Sequence, residues 1–264
     1  MSALRVFTYL PNPRLWKAAI AARLCGLEIE VRGDKPSALR DWLWDFDARP
    51  LRDGEADPDG PLARKSRTGF DGVLYKTDAF LKAHPFGTVP AAFSPDGETG
   101  IFESNSIMCT VARLGTARYP LYGDDAYQAS RIDSFLDASL VFARDSQIYL
   151  LAMNADSVTL EIHARAAAAW DTWMSGIERA LYGHDYLVGA GITLADICFV
   201  CELTLFSREK ALHRKLAAQD LAPIVGENNT YPGAMAHYRR LVTHEAFVPD
   251  VAPYLEKLKR DITA

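Results

Sequence analysis

The stretch "HPFGTVPAAFSPDGETGIFESNSI", residues 84–107, carries the punctuation that decides the fold. Pro95 to Gly97 reads as a turn joining two short strands, Ala91–Phe93 and Gly100–Phe102. A helix then opens at Ser104 and runs to Leu114, with Ile107, Met108, Val111 and Leu114 on one face. Val89-Pro90 stands at the mouth of the first strand, where proline removes a ladder donor. On sequence alone a trans proline at an edge strand is the base-rate reading, and a cis bond is the alternative.

Working outward from there, Arg5 to Tyr9 reads as a strand. Arg14 to Cys25 reads as a helix through Leu15, Ala18, Ala19, Ala22 and Cys25, stopped by Gly26, and Leu27 to Val31 as a second strand. That gives a β-α-β start of the minimum length for a right-handed crossover. Residues 33–75 break the pattern with Pro36, Pro50, Pro58 and Pro61, and with Trp42, Trp44 and Phe46 as an aromatic knot. Such a segment is too long for an ordinary connection and reads as a functional lid or a partly disordered insertion. A short helix follows at Ala79 to Ala83. Without the insertion the order is β-α-β-α-β-β-α, a mixed sheet between helices.

Beyond a linker at residues 115–125 almost every segment is helical. Ala126 to Met153 and Ser157 to Leu181 read as long antiparallel helices, and Gly183 to Gly191 as a break. "GITLADI" is a strong helix start: Thr193 can cap the Asp196 N–H, Asp196 can reach back, and Ile192 and Ile197 can form a hydrophobic staple. A last helix follows Pro232, and Pro249 and Pro253 close the chain. The expected domains are therefore 1–114, α/β with its insertion at 33–75, and 126–264, all-α, with no further module.

Of the 264 residues 49% are hydrophobic and 24% charged, with no run of eighteen apolar residues, which points to a globular chain with no membrane partner. "MSALRVFTYLPNP" lacks the basic start and long apolar stretch of a secretory signal, so the cytoplasm is expected. A net charge of -5 with scattered lysines and arginines argues against nucleic acid. Cys25, Cys109, Cys198 and Cys201 lie in apolar helical patterns and read as reduced, buried thiols. The C-x-x-C of Cys198 and Cys201 falls inside "ADICFVCELTLF", a core helix rather than a redox turn. The six histidines show no ligand spacing, so no metal site is expected.

This order of elements, with a proline before the third strand and a capping box in the helical domain, resembles a cytosolic glutathione transferase: a thioredoxin-like domain followed by a helical bundle. "FLKAHPFGTVPAAF" is similar to the segment where that family carries a cis proline, "ESNSI" to its glutathione site, and "LVGAGITLADI" to its helical folding motif. "FTYLPNP", "WKAAIAA", "IFESNSI" and "LVGAGITLADICFVCEL" resemble the N-terminal portion of elongation factor 1B gamma. The resemblance implies glutathione as cosubstrate and a cis Val89-Pro90, with the Val89 N–H and C=O pairing with the cysteinyl part of the ligand as a short added strand. It implies that Glu103 meets the ligand's ammonium. The helix N-terminus and the Ser104 hydroxyl would hold its γ-glutamyl carboxylate, against the plain reading of Ser104 as an N-cap.

For activating the thiol, "TYLPNPRLW" offers Thr8, Tyr9, Asn12 and Arg14, and strand alternation lets only one of Thr8 and Tyr9 face the ligand. Asn12 and Arg14 match the elongation-factor-like pattern. Leu15 stands where serine-using members have a hydroxyl, which departs from hydroxyl-type activation. The implied chemistry is displacement by glutathione thiolate on an apolar aromatic electrophile, extending to the β-aryl ethers of lignin fragments that bacterial elongation-factor-like members cleave. General detoxifying conjugation and a non-catalytic assembly module are the alternatives. Asp133, Phe135, Leu136, Leu140 and Phe142 would edge the electrophile site, though such helical stripes usually pack as core. A dimer is implied, with itself or with a paralogue.

Overall fold

The computed structural model of the chain describes residues 2–66, 70, 72–115, 120–226 and 230–263. Its contacts fall into two compact units, Met1–Arg118 and Tyr119–Ala264. Residues 116–119 of the expected linker lie outside the described residues.

The first unit is thioredoxin-like. Strand β1 (Leu4–Phe7) leads into helix α1 (Pro13–Cys25) and strand β2 (Ile29–Arg32). Asn12 starts α1 by accepting the Arg14 N–H, Pro13 takes the position where a missing N–H costs nothing, and Gly26 ends it at φ 68, in the left-handed region. Helix α2 (Asp78–Ala83), strands β7 (Ala91–Phe93) and β8 (Gly100–Phe102) and helix α3 (Ser104–Leu114) complete the unit. The sheet order is β2-β1-β7-β8, with β1 and β2 parallel and the other pairs antiparallel.

Residues 33–75, expected as a lid or a partly disordered insertion, instead build a second sheet. Strands β3 (Trp42–Trp44), β4 (Arg49–Pro50), β5 (Ala63–Lys65) and β6 (Val73–Lys76) are ordered β4-β3-β6-β5. Strands of two to four residues between proline and glycine turns leave no periodicity to read, which is why the pattern was hidden. Residues 67–69 and 71 lie outside the described residues. The segment belongs to the core: Leu39, Trp44, Ala48 and Leu74 join Phe7, Phe80, Ala91 and Phe93 in one buried cluster. Trp44 meets Phe7 and Phe80 edge-on at 5.3 and 6.1 Å and donates its ring N–H to the Leu39 carbonyl at 2.9 Å. Gly33 opens the segment at φ 150, where any Cβ would fall 1.6 Å from the Thr8 carbonyl oxygen.

The second unit is helical: α4 (Ala126–Asn154), α5 (Leu160–Ala180), α6 (Leu194–Phe206), α7 (His213–Ala217), α8 (Pro232–Leu241) and α9 (Val248–Thr263). Helix α5 begins at Leu160 rather than Ser157 because Thr159 caps it, accepting the Ile162 N–H at 3.2 Å. Helix α6 is buried almost all round, with Cys198 and Cys201 buried inside it as thiols outside any disulfide. The capping box at its start forms, and the buried Asp196 accepts from the Thr193 and Leu187 N–H groups at 2.8 and 3.1 Å. Asp196 also takes His237 Nε2 at 2.8 Å while Arg240 donates to His237 Nδ1, which leaves the imidazole proton on Nε2. The chain does not simply close at its prolines: α9 contains both. Pro249 falls in the first turn, where an N–H has no helical partner, and Pro253 forfeits one bond, to the Pro249 carbonyl. No helix among the described residues is long and apolar enough to cross a membrane.

Candidate functional site

Strand register brings the candidate residues together. Phe7 lies opposite Ala91, and Ala91 opposite Phe102. The residues after Phe7, before Ala91 and after Phe102 therefore leave the sheet at the same end, on strands about 4.8 Å apart. They are Thr8 to Arg14, Val89-Pro90 and Glu103-Ser104. The residues expected to bind glutathione or activate its thiol all lie in these three segments, whereas those expected to edge the electrophile site lie on α4.

Val89-Pro90 is cis, as the resemblance implied, and a second cis bond not anticipated from the sequence, Leu10-Pro11, lies in the same end of the sheet. Val89 is half-buried and precedes the β7 ladder, which begins at Ala91. The turn before it is held from two sides. His84 is buried against Phe80 and Phe102 and accepts the Gly87 N–H on Nδ1 at 3.1 Å; burial, aided by the charge of Lys76, pushes its pKa below the ordinary histidine value. Lys76, at the end of β6, donates to the Gly87 carbonyl at 2.6 Å and sits 4.5 Å above the Trp44 ring. The second sheet thus fastens the turn that presents Val89.

Glu103 sits at φ 65, ψ 125, a region that costs a non-glycine residue about 1–3 kcal/mol and tends to persist at ligand clamps. Its side chain makes no capping bond, so the first N–H groups of α3 have no side-chain acceptor from the N-cap. Ser104 is the first helical residue rather than the cap, which corrects the plain N-cap reading. Lys17, buried on α1, donates to Ser104 Oγ at 3.3 Å and to Asn105 Oδ1 at 2.8 Å. Sequence reasoning missed it. The signal was a lysine on the buried Pro13, Lys17, Ala21 stripe of α1, where helical spacing calls for an apolar residue.

Thr8 and Asn12 are buried and bonded to each other, Asn12 Nδ2 donating to Thr8 Oγ1 at 2.9 Å. Tyr9 is half-buried and packs on the cluster that joins Phe7 and Phe93 to Trp44. Arg14, in the first turn of α1, is half-buried. On α4, Leu136 and Phe142 are core, Leu140 is exposed, and Asp133 accepts the Tyr122 hydroxyl. Phe135 and Phe142 line a cavity of about 350 Å³ between α4 and α5, with Val141, Trp173 and Ile177. Among the described residues no cluster of three or more His, Cys, Asp or Glu side chains could hold a metal ion.

No family model matches the chain. It is 31% identical over 210 residues to a probable elongation factor 1-gamma 1 of Arabidopsis thaliana, covering 77% of this chain and 41% of that protein. It is 33% identical over 203 residues to elongation factor 1-gamma 1 of Oryza sativa subsp. japonica, covering 76% and 40%. The chain thus spans about two fifths of the length of these relatives. A glutathione S-transferase-like protein of Gibberella moniliformis is 26% identical over 244 residues, covering 91% of this chain and 88% of its own. Among solved structures, a glutathione S-transferase-like protein from Lodderomyces elongisporus superposes with a TM-score of 0.65 at 18% identity, over 95% of both chains. A glutathione S-transferase from Methylobacterium radiotolerans, in complex with glutathione sulfonate, does so with a TM-score of 0.60 at 16% identity, over 94% of both. The chain has the glutathione transferase fold, and its sequence resembles that superfamily and elongation factor 1-gamma.

Proposed function

We propose that the chain binds glutathione at the end of its first sheet and uses the ligand's thiolate as a nucleophile, as a glutathione transferase. The observation that carries this reading is the convergence of three segments: the Val89 backbone outside the ladder, the uncapped α3 N-terminus with its strained Glu103, and the capped N-terminus of α1. In this reading the Val89 N–H and C=O pair with the cysteinyl unit, the α3 N–H groups and Ser104 hold the γ-glutamyl carboxylate, and Glu103 meets the ammonium.

Thiol activation falls to Arg14, with the positive end of α1 behind it. Thr8 and Asn12 are fully buried, Tyr9 packs on the buried cluster, and Arg14 keeps part of its surface exposed at the start of α1. A cation and a helix N-terminus both favour thiolate over thiol. The thiolate lone pair forms an S–C bond while the C–X bond breaks and the leaving group departs with its electron pair, as aryloxide if X is an ether oxygen. Electrophiles with an aromatic group, β-aryl ethers among them, fit this chemistry, and so does general conjugation. We keep the cytoplasm as the compartment, since all four cysteines are buried and none is joined in a disulfide.

Elongation factor 1-gamma similarity over 77% of the chain favours a second reading, a non-catalytic assembly module pairing with itself or a paralogue. Turnover separates the two. Under the first, the chain conjugates glutathione to an aryl halide or cleaves a β-aryl ether, and Arg14→Gln moves the pH midpoint of the rate upward. Wild-type chain with no turnover on either substrate leaves the assembly reading.

A further inference from the structure

We infer that Lys17 is a positioning residue of this site, setting the polarity of the Ser104 hydroxyl so that it donates to the ligand's carboxylate. The inference rests on the glutathione reading above and adds a residue that neither sequence motif nor resemblance singled out.

A lysine ammonium has three donors and no acceptor, whereas a serine hydroxyl has one donor and two acceptor lone pairs. Lys17 Nζ therefore occupies a lone pair of Ser104 Oγ, at 3.3 Å, and the hydroxyl hydrogen must find an acceptor elsewhere. Among the described residues it has none, although Ser104 is 94% buried by its 6% exposure. The unmet donor lies in the first turn of α3, beside the N–H groups that Glu103 leaves uncapped. An anionic oxygen placed there would collect the hydroxyl and the helix N–H groups together.

Asn105 reports the same arrangement. Its Oδ1 accepts from Lys17 at 2.8 Å, which fixes the amide with Nδ2 turned away from the lysine. One buried side chain on α1 thus orients two successive residues at the start of α3. It does so without occupying the ligand's place, because Lys17 is itself 1% exposed. A residue acting this way should matter for the carboxylate that Ser104 holds and not for the rest of the ligand.

The test is calorimetric titration with two ligands: glutathione, and γ-aminobutyryl-cysteinylglycine, which lacks only the γ-glutamyl carboxylate. Wild type, Lys17→Met, Lys17→Arg, Ser104→Ala and the Lys17→Met/Ser104→Ala double variant are compared. Lys17→Met is expected to weaken glutathione about tenfold or more and the decarboxylated ligand by less than about twofold, the size of one charge-assisted bond. The double variant should lose little beyond the single ones, since both remove the same bond, and Lys17→Arg should restore much of the affinity. Lys17→Gln carries the comparison if Lys17→Met does not fold. Equal weakening of both ligands in a folded variant overturns the role of Lys17 while leaving the glutathione site standing. Absence of glutathione binding by the wild type overturns the site reading, and this inference with it.

Discussion

Asn12 bridges the end of β1 and the start of α1: its Nδ2 donates to Thr8 Oγ1 at 2.9 Å while its Oδ1 accepts the Arg14 N–H at 3.0 Å. The bridge fixes the loop that carries Arg14, and it makes Asn12 a structural group with one foot on each element.

Asn12→Ala removes both bonds. Loss of the cap costs about 1 kcal/mol, and leaving the buried Thr8 hydroxyl without this partner adds about 1–3 kcal/mol. Asn12→Asp keeps the cap, and the Thr8 hydroxyl can reverse and donate to it, so it should cost clearly less. Urea denaturation of the two variants checks the order. Equal losses would mean that the cap contributes nothing and that the Asn12 amide donor to Thr8 alone matters.

Trp44→Ala should destabilise the chain by about 3–5 kcal/mol, because its ring packs on Phe7 and Phe80 and its N–H is bonded to Leu39. By the same reasoning, excising residues 36–74 should abolish soluble expression, since it uncovers Phe7, Phe80 and Phe93. A soluble, cooperatively folding deletion variant would show that the second sheet is an accessory rather than part of the core.

That role was the main thing not legible in the sequence. The first sheet was readable because β7, β8 and α3 are bounded by Pro95 to Gly97 and by the polar opening at Glu103 and Ser104, and the expected limits of all three hold. Strands β3 to β6 pair across residues 42–76 with only two to four residues each, so their order comes from tertiary packing on Phe7 and Phe93 that no local pattern encodes. The candidate site was legible in the same measure. Ser104, Glu103 and Val89-Pro90 carry local motifs, whereas Lys17 acts through a residue 87 positions away. Helix α9 was hidden by two prolines, one of which costs nothing where it stands.

His84 makes stability depend on pH. Burial lowers its folded pKa below the value near 6.5 expected of the unfolded chain, so as pH falls the unfolded state takes up the proton first. The stability it contributes is complete above about pH 6.5 and is lost as pH falls toward the lowered folded value. The difference in unfolding free energy between wild type and His84→Gln should therefore hold level from pH 7.5 to about 6.5 and shrink from there to pH 5. A difference that stays constant over this range would place the His84 pKa at its ordinary value.

Calorimetric titration of the purified chain with glutathione, wild type against Ser104→Ala, tests the central claim most directly. The arrangement of Val89, Glu103 and Ser104 predicts one saturable site per chain, weakened about tenfold by the loss of one hydroxyl bond to a carboxylate. A wild-type titration with no saturable heat, or equal affinity in the two proteins, would contradict the placement of the ligand's carboxylate at the start of α3.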